Sequence, residues 1–458
     1  MDYGALCLIP LAVVIICALI TKRTMESLLL GTFIGFIIIS PNPKEFIPNF
    51  INTFYTVIAD ATTIWVILVC GLFGSLIALI EKSGGTEGFA RLTEKVAKGR
   101  KSALICTWIL GIIIFIDEYL NALAVGFSMR RLTDKYNIPR EELAYVANST
   151  GATVTVLIPF TTWSAFMISQ IVAVLGMDAS EGTSMYLKVI PFVIYGWVGT
   201  LIVPLFILRV IPAFGPMKKA IKRAEETGQC LPDSTVEEVA AAQDEIEEGM
   251  EGKKHRAINF ILPMIVLAVI TVWSGDLLYG VLAGIIVAAI LFLPQRLMKG
   301  TEFFDAGLKG FEEMFFVLAL VTVAFVLAQA NDQLGLTSYV INAIAPVLSP
   351  KLLALFSFIV VALLALCTGS FWGIAAIAFP IILPLAQTMD VSVYLAAGAV
   401  VSGASFGSQA CFFGDAATLT CKATQIKNGD YMRNVLPILV VPFVIACIIF
   451  LIVGMVAA

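Results

Sequence analysis

The chain has 458 residues, of which 59% are apolar and only 14% are charged, and its formal net charge is -4. Soluble domains usually carry about 25% charged residues, so the composition excludes an ordinary soluble protein, and no nucleic-acid partner is expected. Apolar runs of membrane-spanning length recur along the chain. They predict a multi-pass, all-α protein of the plasma (inner) membrane, with lipid as its main partner.

Membrane spans are expected wherever an apolar run approaches 20 residues, because the bilayer core is about 30 Å thick. The first run, residues 5–20, lacks a preceding basic segment and a following cleavage site, so we expect a retained span rather than a signal peptide. The first half has expected spans at residues 4–20, 26–40, 61–80, 143–173 and 187–211. The second half has them at 257–275, 277–293, 314–332, 391–420 and 434–456. An offset of 253 relates the two sets to within a few residues, which predicts an internal repeat.

Two further apolar segments, residues 102–130 and 351–388, are interrupted at their centres. The interruptions read Asp117-Glu118-Tyr119-Leu120-Asn121 and Thr368-Gly369-Ser370-Phe371-Trp372-Gly373. If both segments are re-entrant hairpins and the N-terminus is outside, only Lys44, Lys188 and Lys351 of the 29 Lys and Arg lie outside. Basic residues favour the cytoplasmic side, so this topology is the one we predict.

Each half then has five spans and one re-entrant hairpin, and an odd number of spans gives the halves opposite orientations. The predicted fold is therefore two inverted repeats with broken helices at the centre, which is typical of secondary transporters. The predicted boundaries are residues 1–212 for the first repeat, 213–256 for a cytoplasmic linker and 257–458 for the second repeat. In the linker, Ser234-Thr235-Val236-Glu237 is a capping-box pattern that opens a short acidic helix. The linker is either a simple connection or a regulatory arm.

Three acids, Asp117, Glu118 and Asp415, are expected at membrane depth. Acids are costly in the membrane and usually functional there. We expect one acid of the Asp117/Glu118 pair to bind the coupling ion and the other to cap the returning half-helix. Asp415 lies near Lys422 and could instead form an ion pair at the rim of the membrane.

Small hydroxyl residues and glycines interrupt two of the spans, at Asn148-Ser149-Thr150-Gly151 and at Ser402-Gly403-Ala404-Ser405. An opened helix frees carbonyl groups that can bind Na⁺, although small residues also serve ordinary helix packing. Aromatic residues beside these breaks could line a pocket for an organic solute or simply pack the core. The candidate binding residues are Asp117, Glu118, Asn121, Asn148, Ser149, Thr150, Thr161, Thr162, Trp163, Thr368, Ser370, Trp372, Ser402, Ser405, Gln409 and Asp415. The Na⁺ candidates among them are Asp117, Ser149, Thr150 and Ser402.

Metal and thiol chemistry is not expected. The nine cysteines form no CxxC pair, and the single histidine, His255, lies in a basic cluster that should be solvated. We expect free cysteines that pack as small apolar residues. No cofactor is expected beyond Na⁺ and/or H⁺ as the coupling ion.

These interrupted segments resemble the NhaC family of Na⁺/H⁺ antiporters, within the wider ion-transporter superfamily. The residues that carry the resemblance in the first half are 116–123, Gly126, 129–136, 143–145, Ser149 and Thr150. In the second half they are 369–373 and 402–407. The resemblance implies antiport of Na⁺ and H⁺, or of organic acids with those ions. It also implies a homodimer in which a transport domain slides across a scaffold.

The chain departs from the family pattern at three places. Asn148 stands where family members often have an aspartate, Ser408-Gln409 replaces an Asp-His step, and Gly414-Asp415-Ala416 replaces Ser-Asp-Thr. These changes remove titratable groups, and they favour the alternative of Na⁺- or H⁺-coupled transport of an amino acid, a carboxylate or an organic amine. An ion channel is a third hypothesis, which the two opposed hairpins disfavour. No HExxH motif suggests a zinc-dependent enzyme.

Overall fold

The computed structural model describes residues 3–21, 24–85, 88, 97–235, 256–274, 276–336, 339, 348–368, 371–412 and 414–457. Within these ranges the regular secondary structure is entirely helical. The helices before the linker are α1 (Leu8–Thr21), α2 (Thr24–Ile39), α3 (Pro43–Ala59), α4 (Ala61–Lys82), α5 (Arg100–Ile113), α6 (Glu118–Lys135), α7 (Arg140–Val154), α8 (Thr162–Leu175), α9 (Gly182–Val189) and α10 (Ile194–Ile207). Helix α11 (Gly215–Thr227) opens the linker.

Ten further helices are described after the linker. They are α12 (Ile258–Ser274), α13 (Leu277–Phe292), α14 (Gly300–Glu313), α15 (Phe315–Gln333), α16 (Leu353–Thr368), α17 (Phe371–Thr388), α18 (Val393–Ala410), α19 (Asp415–Thr424), α20 (Asn428–Asn434) and α21 (Leu436–Ala457). Helix α6 plus 253 residues coincides with α17, and α7 plus 253 begins where α18 begins. The acidic linker helix predicted after Ser234 lies outside the described residues, as does His255.

Three described helices are long and apolar enough to cross a membrane unbroken, namely Thr63–Lys82, Phe371–Thr388 and Leu436–Val456. A bent pair, Ala179–Phe192 and Ile194–Ile207, makes a fourth if its 56° break is counted within one span. The predicted span at 187–211 therefore has its start in a bent segment rather than in a straight helix. The predicted spans 143–173 and 391–420 are each divided into two helices, as their glycine and hydroxyl residues suggested.

Local capping explains where several helices begin and end. The Asn42 side chain accepts from the backbone N–H of Lys44 (3.1 Å) and starts α3, with Pro43 at its first position. Thr161 starts α8 by accepting from the N–H of Ser164 (2.9 Å). Gly176, at φ 63°, ends the same helix in the left-handed conformation that glycine adopts without a steric cost.

The break between α5 and α6 is stabilised by one amide. Asn121 donates through Nδ2 to the carbonyl oxygens of Gly111 (2.6 Å) and Ile114 (2.8 Å), at the open end of α5. A helix end leaves carbonyl groups without partners, so this side chain makes the interruption stable in a buried setting. Gly111 also permits close packing of α5 on α7, because a Cβ there would lie 2.0 Å from Oγ1 of Thr150.

The most extensive helix contacts fall in two groups, which meet where α4 packs on α8 and α15 packs on α17. In one, α4 packs on α13 and α14, and α2 packs on α1 and α15. In the other, α6 packs on α7 and α19, α8 packs on α17, and α18 packs on α7 and α16. The second group contains all the interrupted segments, and at its centre Oγ of Ser405 in α18 donates to the carbonyl of Ala152 in α7 (2.7 Å). The two central helices are therefore in direct contact at equivalent positions, since 152 plus 253 is 405.

Candidate functional site

Asp117 lies in the break that precedes α6, with 5% of its surface exposed. Its Oδ1 accepts from the backbone N–H of Tyr119 (2.9 Å), which is the geometry of a helix N-cap. Its Oδ2 accepts from the Thr162 hydroxyl (2.8 Å), and the N–H of Thr162 donates to the carbonyl of Ile116 (3.1 Å). The start of α8 is thus held against the start of α6.

Glu118 is the first residue of α6 and is 1% exposed. Its Oε2 accepts from Nε1 of Trp163 in α8 (3.0 Å), and its Oε1 accepts from the hydroxyl of Ser408 in α18 (2.5 Å). Charge-assisted hydrogen bonds of this kind are about twice as strong as neutral ones. This carboxylate therefore joins interrupted helices from both halves of the chain.

A second polar network lies where α7 meets α18. Nδ2 of Asn148 donates to the carbonyl of Gln409 (3.1 Å) and to the hydroxyl oxygen of Tyr431 (2.5 Å). The Gln409 side chain donates to Oγ of Ser149 (2.6 Å) and accepts from the Tyr195 hydroxyl (2.5 Å). Among the described residues, Oδ1 of Asn148 has no hydrogen-bond partner although the side chain is fully buried. The network thus contains one buried acceptor that is not satisfied.

Four aromatic rings form a cluster that includes Trp163, the donor to Glu118. Trp163 stacks on Phe371 (centroids 4.9 Å apart, planes at 12°) and lies 4.9 Å from the ring of Trp372. Phe166 meets Trp372 edge to face at 4.7 Å. In the described part of the chain, the indole N–H of Trp372 has no acceptor although this residue is only 7% exposed. The cluster therefore holds one buried donor without a partner.

The sequence profile of the Na⁺/H⁺ antiporter family matches residues 154–456, which is more than half of the chain. The chain belongs to the Na⁺/H⁺ antiporter family. The resemblance seen in the sequence is thereby confirmed, although the match begins after the segment with Asp117 and Glu118. Membership of an antiporter family also confirms the prediction of a transport protein of the membrane.

Three individual relatives are similar to the chain, and two of them are named as antiporters. An uncharacterized protein of Haemophilus influenzae is 25% identical over 473 residues, which cover 94% of this chain and 87% of that protein. The malate-2H⁺/Na⁺-lactate antiporter of Bacillus subtilis is 26% identical over 105 residues, or 23% of this chain and 22% of that antiporter. An uncharacterized Na⁺/H⁺ antiporter of Haemophilus influenzae is 24% identical over 108 residues, or 24% and 23% of the two chains.

Two solved transporter structures share the fold. The YdaH transporter of Alcanivorax borkumensis superposes with a TM-score of 0.58 at 12% identity, over 90% of this chain and 89% of that one. MtrF of Neisseria gonorrhoeae, from a class of antimetabolite efflux pumps, gives 0.55 at 13% identity, over 91% and 85%. At such low identity the likeness concerns the fold alone, and both folds belong to transporters rather than enzymes.

In this antiporter-family chain, the predicted site residues fall into distinct environments. Asp117, Glu118, Thr162 and Trp163 form one cluster, and Asn148, Ser149 and Gln409 form the neighbouring network. Asn121, Thr150 and Thr161 have hydrogen bonds to backbone groups of the broken helices. Ser402 accepts from the N–H of Tyr195 (3.2 Å) and Ser405 donates to Ala152, so both hydroxyls serve helix contacts. The four Na⁺ candidates thus have different hydrogen-bond partners, and their grouping around one ion stays a prediction.

Some predicted residues lie outside the described part. Ser370 and the side chains of Thr368 and Asp415 lie outside the described residues. For Asp415 the backbone alone shows that it starts α19, after Gly414 in the N-cap position.

Sequence reasoning missed three residues of the site: Ser408, Tyr195 and Tyr431. Ser408 stands directly before Gln409 in the interrupted α18, so the choice of Gln409 alone overlooked a neighbour with the right chemistry. Tyr195 follows the bend that precedes α10, and its hydroxyl reaches Gln409 across 214 positions of sequence. No local pattern marks Tyr431, which enters the network through its position in the short helix α20.

Proposed function

We propose that the protein is a cation-coupled antiporter in which the Glu118 carboxylate binds H⁺ and Na⁺ in competition. The observation that carries this proposal is the pair of hydrogen bonds from Trp163 and Ser408 to a carboxylate that is 1% exposed. A buried acid is expensive to retain in a membrane, and such acids mark ion pathways. Asp117 is assigned the role of helix cap.

Trp163 and Ser408, which donate hydrogen bonds to Glu118, determine which of its two carboxylate oxygens can be protonated. The indole N–H of Trp163 can only donate, so Oε2 must remain an acceptor. The Ser408 hydroxyl can rotate and accept, so Oε1 is the oxygen that can carry the proton. Na⁺ would take the place of that proton, with Oε1, the Ser408 oxygen and carbonyls of the broken helices as hard oxygen ligands. The Na⁺ candidates Ser149, Thr150 and Ser402 stay part of this proposal, whereas Asp117 serves as the helix cap.

The topology is proposed together with the site. The recurrence of helix boundaries at an offset of 253 supports two inverted repeats, residues 1–212 and 257–458, each with one re-entrant hairpin (α5–α6 and α16–α17). The proposed orientation has the N-terminus outside the inner membrane and residues 213–256 in the cytoplasm. The two contact groups of helices support a scaffold and a transport domain that alternate in access, and a homodimer is proposed by analogy with the superfamily.

The alternative proposal is coupled transport of a small organic solute. It is favoured by the indole N–H of Trp372 and Oδ1 of Asn148, which have no partner among the described residues, because unmet buried polar atoms are costly and a polar ligand would satisfy them. The short match to a malate-2H⁺/Na⁺-lactate antiporter is a further, weaker argument. Thermal-shift screening of amino acids, carboxylates and amines, with and without Na⁺, tests this proposal.

The Na⁺/H⁺ proposal is tested in inside-out vesicles by the dissipation of a pH gradient on addition of Na⁺. We expect Glu118→Gln to abolish the response, because the amide can neither carry the proton nor balance the charge of Na⁺. The control is Glu313→Gln, the same change at an exposed side chain in α14 (60% exposed). Normal exchange in Glu118→Gln would remove this carboxylate from the mechanism.

A further inference from the structure

Two consecutive acids, Glu141 and Glu142, are buried at the start of α7, directly before the predicted span 143–173. Their side chains are 1% and 0% exposed. Buried charges are stable only when they are paired and hydrogen-bonded. The partners of these two acids therefore indicate what holds this end of the molecule together.

Glu141 forms an ion pair with Arg223 of the linker helix α11. Both Nη atoms of Arg223 in α11 lie 3.1 Å from its Oε1, and Nη2 lies 3.0 Å from its Oε2. The same guanidinium donates to the carbonyl oxygens of Gln229 and Cys230 (both 3.2 Å), which follow α11. A fork-like arrangement of this kind fixes orientation as well as charge. The linker is thus attached to α7 at a defined angle.

Glu142 is held by two further arginines. Nη2 of Arg100, the first residue of α5, lies 2.6 Å from Oε2, and Nη2 of Arg209, just after α10, lies 3.3 Å from Oε1. Arg100 also pairs with Glu225 of α11 at 2.7 Å. Helix α5 is one arm of the first hairpin, and its first residue is therefore ion-paired both with α7 and with the linker.

The other arm of that hairpin is tied to the same place. Asp134, near the end of α6, pairs with Arg140 through two contacts of 2.6 Å. The N–H of Arg140 donates to the carbonyl of Cys230 (3.0 Å), and its Nη1 donates to the carbonyl of Thr424 at the end of α19 (3.1 Å). The linker segment thus contacts the base of both hairpin arms.

We propose that residues 215–235 are a gating clamp that holds both arms of the first hairpin against α7 and has to release before the hairpin can open to the water on that side. This inference goes beyond the ion site, and it rests on the proposed topology only in placing that water in the cytoplasm. The linker is then the regulatory arm rather than a simple connection.

The clamp responds to pH in a direction set by burial. Burial raises the pKa of Glu142 above its ordinary value, which Arg100 and Arg209 offset only in part and Glu225 reinforces. Burial likewise raises the pKa of Glu141 against the opposing effect of Arg223, with Asp430 of α20 reinforcing it. In an open state both acids are hydrated and titrate normally. The closed clamp therefore binds protons more tightly, so it is stabilised as pH falls and weakens as pH rises through the raised pKa values.

Cys230 reports on the clamp because its thiol is buried inside it and is 9% exposed. A variant with Cys230 as its single cysteine is labelled in inside-out vesicles with a membrane-impermeant maleimide, and each rate is normalised to denatured protein at the same pH. We expect the normalised rate to rise several-fold as pH is raised. We expect Glu141→Gln/Glu142→Gln to lose this rise, because neither side chain then titrates.

Arg223→Gln tests the clamp at fixed pH. The matched control is Lys222→Gln in the same helix, because the Lys222 side chain is 71% exposed. We expect about tenfold faster labelling for Arg223→Gln, which corresponds to about 1.4 kcal/mol, an intermediate rate for Arg223→Lys and no change for Lys222→Gln. Equal rates for Arg223→Gln and the parent, or a rate that falls with pH, would overturn the clamp. Labelling of Cys230 does not depend on transport activity, so its result tests the clamp independently of the proposed role of Glu118. Labelling only from the opposite face would overturn the proposed orientation and leave the clamp intact.

Discussion

The indole of Trp163 provides the sharpest test of the proposed competition between H⁺ and Na⁺ at Glu118. Trp163→Phe removes the N–H that donates to Oε2 at 3.0 Å and retains an aromatic ring to stack on Phe371. A hydrogen bond to a charged group contributes about 1.5–3 kcal/mol. The ionised carboxylate loses that contribution, whereas the protonated form at Oε1 still has the Ser408 oxygen as its acceptor.

In the proposed mechanism Na⁺ binds the ionised carboxylate, so Na⁺ competes less well with H⁺ in this variant. A loss of 1.5–3 kcal/mol changes an equilibrium constant by roughly 10- to 100-fold. We therefore expect the half-saturating Na⁺ concentration to rise by at least about tenfold at neutral pH, and the deficit to shrink as pH rises. The assay is Na⁺-driven dissipation of a pH gradient in inside-out vesicles, measured over a series of Na⁺ concentrations and pH values.

The matched control is Trp372→Phe. It makes the same substitution in the same aromatic cluster, 4.9 Å from Trp163, but removes an N–H that has no acceptor among the described residues. We expect little change in the half-saturating Na⁺ concentration. An equal loss in both variants would show that ring packing, and not the hydrogen bond, sets ion affinity. A deficit in Trp163→Phe that is constant with pH would contradict competition at Glu118.

Two further substitutions test the helix packing around the site. Gly111→Ala places a Cβ 2.0 Å from Oγ1 and 2.5 Å from Cβ of Thr150, so we expect a loss of about 1–3 kcal/mol, read as a lower thermal unfolding midpoint in detergent. Gly99→Ala, where a Cβ meets nothing within 4 Å, is the comparison. Asn148→Asp replaces the Nδ2 donor by an oxygen facing the Gln409 carbonyl at 3.1 Å, and we expect it to destabilise the protein in the same assay. A stabilised Asn148→Asp variant would mean that this network is arranged differently.

The sequence predicted the interruptions well because they depend on local chemistry. Asp117 was expected either to cap a helix or to bind an ion, and the geometry gives it the N-cap of α6. Hydroxyl and glycine residues marked the division of α7 from α8 and of α18 from α19. The offset of 253 between helix boundaries could also be predicted, because the positions and lengths of apolar runs are read from the sequence alone.

The partners of the interrupted helices could not be predicted in this way. Ser408 reaches Glu118 across 290 positions, and Tyr195 reaches Gln409 across 214, distances over which no local pattern carries information. The clamp was overlooked for a related reason. Glu141 and Arg223 each look like ordinary solvated charges at a helix end, and only the tertiary fold buries the acid to 1% exposure.

The position of Ser408 explains how ion occupancy could be linked to conformation. Glu118 belongs to the first half of the chain, and Ser408 lies near the end of α18 in the second half. Any movement that separates the end of α18 from the start of α6 must break the hydrogen bond from Ser408 to a buried, ionised carboxylate, which leaves a charge that is expensive to bury. A proton or a Na⁺ on Oε1 neutralises that charge and removes most of the penalty. Movement is therefore easier with an ion bound than with the site ionised and empty, which is the condition for exchange rather than leak.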